Sequence, residues 1–451
     1  MMSQLSTHNI NGHHHRHHRH HHHRPQAHHH TLHKQLVCVY SESGKLDAVL
    51  MHRPGREIER LTPENKDILL FDNIPNIDET HQSHDAFADA LRKENIQVFY
   101  VLNLLCEALE HSSQARAMLI DGTVDHSDLS NKEVSDALAQ FLHSLTPAQL
   151  AHTVVEGLLC TEEELRNSGS LKSILLNARS SKNDFLIPPL PNLLFTRDSF
   201  SIIEKNVFIW HMAKPARRNE PLIMRVIFTF HTFHEHLSFR GIHIVDWETH
   251  TDSTATVEGG DVAYIGHGTL LIGNGERTNR AGVEGIERTG LFIRVIAIEL
   301  PENRDYMHLD TVMSSVGRHS FICHSHLAQQ LTVYTVQTPR EEGAKTEWLS
   351  HGRDLRVALR HLLGDVELKF YDAADEATSI AEQHQCRDNM LCLGNQIVIT
   401  YAGGDPINGV IHQMEHDIQR PCRVETFPPK GLIEGFGGAH CMTNALHRSD
   451  T

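Results

Sequence analysis

HDAFADALRKENIQVFYVLNLL, residues 84–105, changes its period partway along. Ala86, Phe87, Ala90 and Leu91 recur at helical spacing, so the first part reads as an amphipathic helix, and Gln97 to Leu102 then reads as a strand. Just upstream, KLDAVLMHRPG (45–55) is an apolar run stopped by Pro-Gly, the form of a strand that ends in a turn. Strand, helix, strand is the unit of α/β proteins, so the fold class depends on whether the unit recurs.

It does recur. NVFIWHM (206–212), GTLLIG (268–273), LFIRVIAIEL (291–300), SFICHS (320–325), VELKFY (366–371), QIVITYA (396–402) and RVETF (423–427) all read as short strands. Helical patterns lie between several of them, including DPINGVIHQMEHDI (405–418), with Asp405 as the expected cap and Pro406 in the first turn. Residues 106–182 break the alternation. NKEVSDALAQFLHSL (131–145), TPAQLAHTVVEGLL (146–159) and TEEELRNSGSLKSILLNARS (161–180) are helical throughout, with Thr146 and Pro147 opening one helix and Thr161 and Glu164 spaced as a capping box in the next. The expected class is α/β, with several small sheet modules and a helical insertion over about 106–182. No G-x-G-x-x-G opening or Walker loop is present, so nucleotide binding is not supported.

Composition narrows the function classes. The chain is 39% hydrophobic and 22% charged, as in ordinary soluble proteins. No apolar run reaches the roughly eighteen residues of a membrane span, and the N-terminus lacks the apolar core of a secretory signal, so a cytoplasmic protein with no membrane partner is expected. The eight cysteines form no CxxC pair and are expected to stay reduced. Residues 1–36 are a separate His-rich tail with Arg16, Arg19, Arg24 and Lys34 and no acid; such a tract cannot bury a core, is expected to be disordered, and fixes no metal geometry. The tail contributes four positive charges to the net of −16, so residues 35–451 carry −20, which disfavours nucleic acid and favours a cationic small molecule. Oligomeric state is left open, and a homo-oligomer is compatible with this reading.

The polar residues set within apolar runs carry the chemistry. In FGGAHCMTNA (436–445), Gly437 and Gly438 let the backbone approach a ligand, a poor setting for a thiol that merely fills space. His440 adjoins Cys441, but strand neighbours point to opposite faces, so the partner base is sought elsewhere. In YMHLDTVMSSV (306–316), His308 and Asp310 are two apart and would share one face of a strand. PNLLFTRDSF (191–200) adds Arg197 and Asp198, TVEGGD (256–261) adds Glu258, GNGERTNR (273–280) adds Glu276, Arg277 and Arg280, and MAKPARRNE (212–220) adds Arg217 and Arg218. Each stretch alone reads equally well as a solvated cap, a turn or a surface cluster. Together, a thiol, a His, three carboxylates and at least two arginines suit a substrate cationic at one end and anionic at the other, because guanidinium wants carboxylates in its plane and a carboxylate wants an arginine fork. Free arginine has both ends.

In this order, NLLFTRD, TVEGGDV, GERTNR, MHLDTV and GGAHCMT closely resemble the arginine deiminases, and the resemblance extends to VLMHRPGREIERLTPENKDILLFD (49–72), covering roughly residues 37–450. It implies one catalytic domain over 37–451, a five-module α/β propeller of pseudo-fivefold symmetry with a helical insertion. It implies Cys441 as nucleophile, His308 as acid/base, Asp198 and Asp310 as guanidinium-binding carboxylates, and Glu258 as the carboxylate that orients His308. Arg217 and Arg277 match arginines that hold the substrate α-carboxylate, with Asn192 and Phe195 in the pocket wall. The implied reaction is hydrolysis of free L-arginine to L-citrulline and ammonia through a covalent Cys thiouronium, needing no metal and no organic cofactor. The chain departs from the family at Phe436, where a G-R-G-G run usually supplies another arginine, and also at Glu434, in YAGGD (401–405) and in EQHQC (382–386). Two other readings remain: deimination of a different guanidine, motivated by Phe436, and a non-catalytic arginine-binding homologue.

Overall fold

The computed structural model describes residues 35–159, 185–231, 237–250, 254–339, 341 and 343–449. Among them, one topology occurs five times: an antiparallel hairpin whose second strand carries a parallel strand on its other edge. A parallel neighbour requires a crossover, and each time the crossover contains a helix. Phe200–Ile203 and Asn206–Ile209 pair antiparallel, helix Asn219–Phe230 crosses over, and His243–Asp246 pairs parallel. Val262–Gly266, Thr269–Asn274, helix Arg280–Arg288 and Arg294–Glu299 repeat the arrangement. Met313–Gly317, Ser320–Cys323, helix Leu355–Leu363 and Lys369–Tyr371 repeat it again, as do Leu391–Gly394, Ile397–Tyr401, helix Val410–Glu415 and Arg423–Phe427.

The fifth unit is assembled from both ends of the chain. Asn444–Arg448 pairs antiparallel with Leu46–Met51, helix Ile77–Lys93 crosses over, and Gln97–Tyr100 pairs parallel. Cys441 thus precedes a strand locked between two N-terminal strands, Cys38–Val39 and Leu46–Met51. Turn chemistry supports the hairpins: between Leu391–Gly394 and Ile397–Tyr401, Asn395 and Gln396 have φ of 52° and 60°, as a two-residue I′ turn requires. Units are joined through their cores, for example where Phe87 of the Ile77–Lys93 helix stacks on Phe427 at 4.2 Å between ring centres.

Helices Val101–His111, Ser113–His126, Lys132–Ser144 and Pro147–Glu156 follow the Gln97–Tyr100 strand. Thr146 and Gln149 form the capping box that opens the last. The structure shifts several expected boundaries. The strand expected over Gln97 to Leu102 ends at Tyr100, because Val101, Leu104, Leu105 and Ala108 form a buried helical stripe that starts the next helix. The helix expected from residue 84 begins at Ile77, capped by Asn76. Asp405 caps a turn, accepting from the Ile407 and Asn408 N–H groups, while the helix itself starts at Val410. The helix Ser113–His126 falls within the expected helical insertion, whereas Asn219–Phe230 had no counterpart in the sequence reading. The His-rich stretch 1–34 and the helix expected over 161–180 lie outside the described residues. Among the described residues, no helix is long and apolar enough to cross a membrane.

Candidate active site

A closed cycle of hydrogen bonds links the segments that enter the first strands of the five hairpins. Gly260 N–H donates to Asp198 Oδ1 (3.1 Å), Leu309 N–H to Asp261 Oδ1 (2.9 Å), and Asn389 Nδ2 to the Asp310 carbonyl (2.9 Å). Cys441 N–H donates to Asn389 Oδ1 (3.0 Å), and Arg197 N–H to the Cys441 carbonyl (3.2 Å), which returns to the start. Five equivalent strand entries therefore place Asp198, Asp261, Asp310, Asn389 and Cys441 around one centre. Gly260 has to be glycine here, since a Cβ would lie 2.8 Å from both Asp198 Oδ1 and His308 Cγ.

Asn192, Phe195, Asp198, Arg217, Arg277, His308, Phe436 and Cys441 line a cavity of about 20 Å³ at this centre, room for a single water. Glu258 lies fully buried behind it, and Asp310 is in hydrogen-bond contact with the thiol: Cys441 Sγ is 3.3 Å from Asp310 Oδ2. His308 Nε2 is 2.7 Å from Glu258 Oε2, and its Nδ1 lies 3.7 Å from Asp198 Oδ1. Arg277 Nη1 donates to the same Glu258 oxygen at 3.0 Å. Arg217 Nη1 donates to Asp198 Oδ2 at 2.6 Å, while its Nε and Nη2 grip the buried Glu220 at 2.9 and 2.7 Å. Asn192 Nδ2 donates to the Leu69 carbonyl (2.6 Å), and the Phe195 ring packs so closely on Gly437 that a Cβ there would collide with it.

The structure thus brings together all nine residues singled out for catalysis and binding. His308 and Asp310 arrive there by a different local route from the one expected. They flank the start of a 3₁₀ turn, Leu309–Thr311, rather than lying on a strand, because Asp261 draws in the Leu309 N–H and tightens the backbone before Met313. Arg218 and Arg280 lie elsewhere, the first paired with Asp128 at the surface and the second over Trp348, and Glu276 pairs with Lys214. Asn389, His440, Glu42 and Glu220 were not anticipated. Asn389 had a detectable signal, because RDN (387–389) precedes a strand just as RDS (197–199) does. His440 was set aside by a strand argument that does not apply, since residues 440–441 form a turn.

Burial and charge set the protonation states. Burial, together with the Asp310 and Asp198 carboxylates, pushes the Cys441 thiol well above its ordinary value. Burial alone would lower His308, but Asp198 and Glu258 outweigh it and raise the imidazole to about 9. Burial opposes ionisation of Glu258 too, yet Arg277 and His308 hold it well below the usual carboxylate range. Glu220 and Asp261 are each raised to about 7, in both cases chiefly by burial. Asp198, Glu258 and His308 bring one ligand atom each within 4.8 Å of one another, the one such cluster of three among the described residues. Arg217, 2.6 Å from Asp198 and 3.7 Å from Glu258, already supplies a cation to those carboxylates.

Comparison with known proteins agrees with this geometry. A family model described as "Arginine deiminase" matches residues 67–448. The chain is 30% identical over 420 residues to the arginine deiminase of Clostridium perfringens (strain SM101 / Type A), covering 91% of this chain and 98% of the relative. It is 34% identical over 414 residues to that of Rhodococcus opacus (strain B4), covering 90% and 96%. A solved complex of an AgrE mutant with L-arginine aligns at TM-score 0.50 and 13% identity, over 89% of this chain and 40% of that one, a likeness of fold alone. With a family model spanning most of its length and relatives of this identity along nearly all of it, the chain belongs to the arginine deiminase family.

Proposed function

We propose that this centre hydrolyses free L-arginine to L-citrulline and ammonia, with Cys441 as nucleophile. The observation that carries the reading is the thiol's position against Asp310, with Asp198 on the same cavity. The two carboxylates that raise the thiol pKa are the two proposed to grip the substrate guanidinium. A bound cation would cancel their effect on the sulfur and release the thiolate where it is needed, and only the thiolate attacks a resonance-stabilised guanidinium carbon. His308 enters protonated at neutral pH, given a pKa of about 9, and is ready to donate to the departing nitrogen. Loss of ammonia leaves a Cys441 thiouronium. His308, now neutral, takes a proton from water as the oxygen adds to that carbon, and collapse expels the thiolate and releases citrulline.

In this reading Glu258 orients His308, and Arg217 and Arg277 take the substrate α-carboxylate, with Asn192 and Phe195 in the wall. A 20 Å³ cavity holds no arginine, so the lining has to open as the substrate enters, and Arg217, bonded to Asp198, stands where the guanidinium would dock. The chain would need no metal or organic cofactor. The five repeated sheets and the cycle of bonds at their strand entries support a closed five-module propeller of pseudo-fivefold symmetry, with residues 37–451 as one catalytic domain and the helices after residue 100 as an insertion. Cys106, Cys323, Cys386, Cys392, Cys422 and Cys441 are in no disulfide, which supports a cytoplasmic setting. A homo-oligomer is compatible with this arrangement.

One observation favours a second substrate. Phe436 lines the cavity where an arginine could have met a carboxylate, so a guanidine without that group would lose less. Citrulline and ammonia release should be measured with arginine, agmatine and methylated arginines. Turnover of arginine ahead of the others is expected; faster turnover of agmatine would reassign the substrate.

A further inference from the structure

A second buried His–carboxylate arrangement adjoins Asp310. His440 Nδ1 is 2.8 Å from Asp310 Oδ2, and its Nε2 is 3.4 Å from Glu42 Oε2. Glu42 accepts in turn from Arg197 Nη2, and all four residues are buried. Ionised carboxylates only accept hydrogen bonds, so a ring nitrogen at this distance from Asp310 Oδ2 serves it as a donor. The two oxygens of Asp310 are unequally engaged. Oδ2 takes both His440 and the Cys441 thiol, whereas Oδ1 is buried with no hydrogen-bond partner. An ionised oxygen left dry and unpaired is costly unless a ligand meets it.

We infer that His440, anchored by Glu42 and Arg197, is a positioning residue that pins Asp310 through Oδ2 and leaves Oδ1 directed at the substrate guanidinium. The inference rests on the proposed arginine chemistry. It assigns the histidine beside the nucleophile to the carboxylate rather than to the sulfur. Burial opposes ionisation of Asp310, and the His440 contact holds it ionised below the ordinary range, as a cation-binding carboxylate requires. The ionisable groups facing His440 are Glu42 from the N-terminal segment, which Arg197 pairs, and Asp310 from the turn before Met313, which in turn meets the Cys441 thiol. Removing the ring therefore acts mainly on Asp310 and, through it, on the thiol.

The test uses the full chain. His440→Leu should raise KM for arginine by about tenfold or more and move the acid limb of kcat/KM to higher pH, since Asp310 loses the hydrogen-bond partner that favours its ionised form. His440→Asn, whose amide nitrogen can reach the place of Nδ1, should recover most of the KM. In the substrate-free protein, iodoacetamide labelling of Cys441, followed by peptide mass spectrometry, should shift to higher pH in His440→Leu. If that variant does not fold, Glu42→Gln should move both profiles in the same direction by less. A folded His440→Leu with KM, acid limb and labelling profile all unchanged overturns the inference, as does a His440→Asn no better than leucine. Wild type inactive on arginine would instead overturn the proposed function, while the labelling profile still decides the role of His440.

Discussion

The side-chain amide of Asn389 ties the backbone of Cys441 to that of Asp310, accepting the Cys441 N–H at 3.0 Å and donating to the Asp310 carbonyl at 2.9 Å. Cys441 and Asp310 are thus held in register by a residue that is expected to touch no substrate. Asn389→Ala would leave a buried N–H and a buried C=O unpaired, at a cost of about 1–3 kcal/mol. Denaturant unfolding should show that loss, and kcat should fall by at least about tenfold, because small displacements of reacting groups are expensive. Unchanged kcat in a folded variant would remove Asn389 from the catalytic framework.

Cys441→Ala should abolish citrulline formation while the fold and arginine binding persist, the latter measured by titration calorimetry. Asp198 and Asp310, the proposed guanidinium-binding carboxylates, remain in that variant. Residual turnover would exclude Cys441 as the nucleophile.

Phe436 has φ of 59°, a left-handed conformation uncommon for a bulky residue, and lines the cavity. Phe436→Arg should lower KM for arginine more than it changes kcat, by roughly tenfold for one added charge-assisted contact made equally in ground and transition states. Agmatine kinetics, with no carboxylate to meet, should hardly respond. An equal change for both substrates would mean that the side chain at 436 does not sense the carboxylate.

Stability should decline on the alkaline side. The His308 pKa is raised from 6.5 to about 9 in the folded protein, so its contribution is complete below about pH 6.5 and is lost as pH rises through 9. Glu220 and Asp261, raised to about 7, act in the same sense, since each binds its proton more tightly when folded. Tm measured from pH 6 to 10 should fall, and His308→Gln should flatten the part of that fall above pH 7. An identical slope in the variant would separate His308 from the effect.

Local patterns carried the strands, the helix opened by Thr146 and Pro147, and the alternation that marks an α/β chain, because apolar spacing and cap residues act within a few positions of one another. The ordered motifs around Asp198, Glu258, Arg277, His308 and Cys441 were likewise readable as a set. What they left undecided concerns partners far apart in the chain. His440 reaches Asp310 across 130 positions and Glu42 across 398, and no periodicity encodes such pairings. Local reasoning misled at the same place: alternation would have set His440 aside and put His308 and Asp310 on one strand face, whereas long-range hydrogen bonds fold both segments into turns. The sequence by itself determined the repeating units and the chemical inventory, because these depend on short-range burial and residue type. Tertiary structure alone decided that a C-terminal strand joins two N-terminal ones, that five strand entries meet in one cycle of bonds, and that Arg217 rests on Asp198, because each depends on packing between units that meet only when the whole chain has closed.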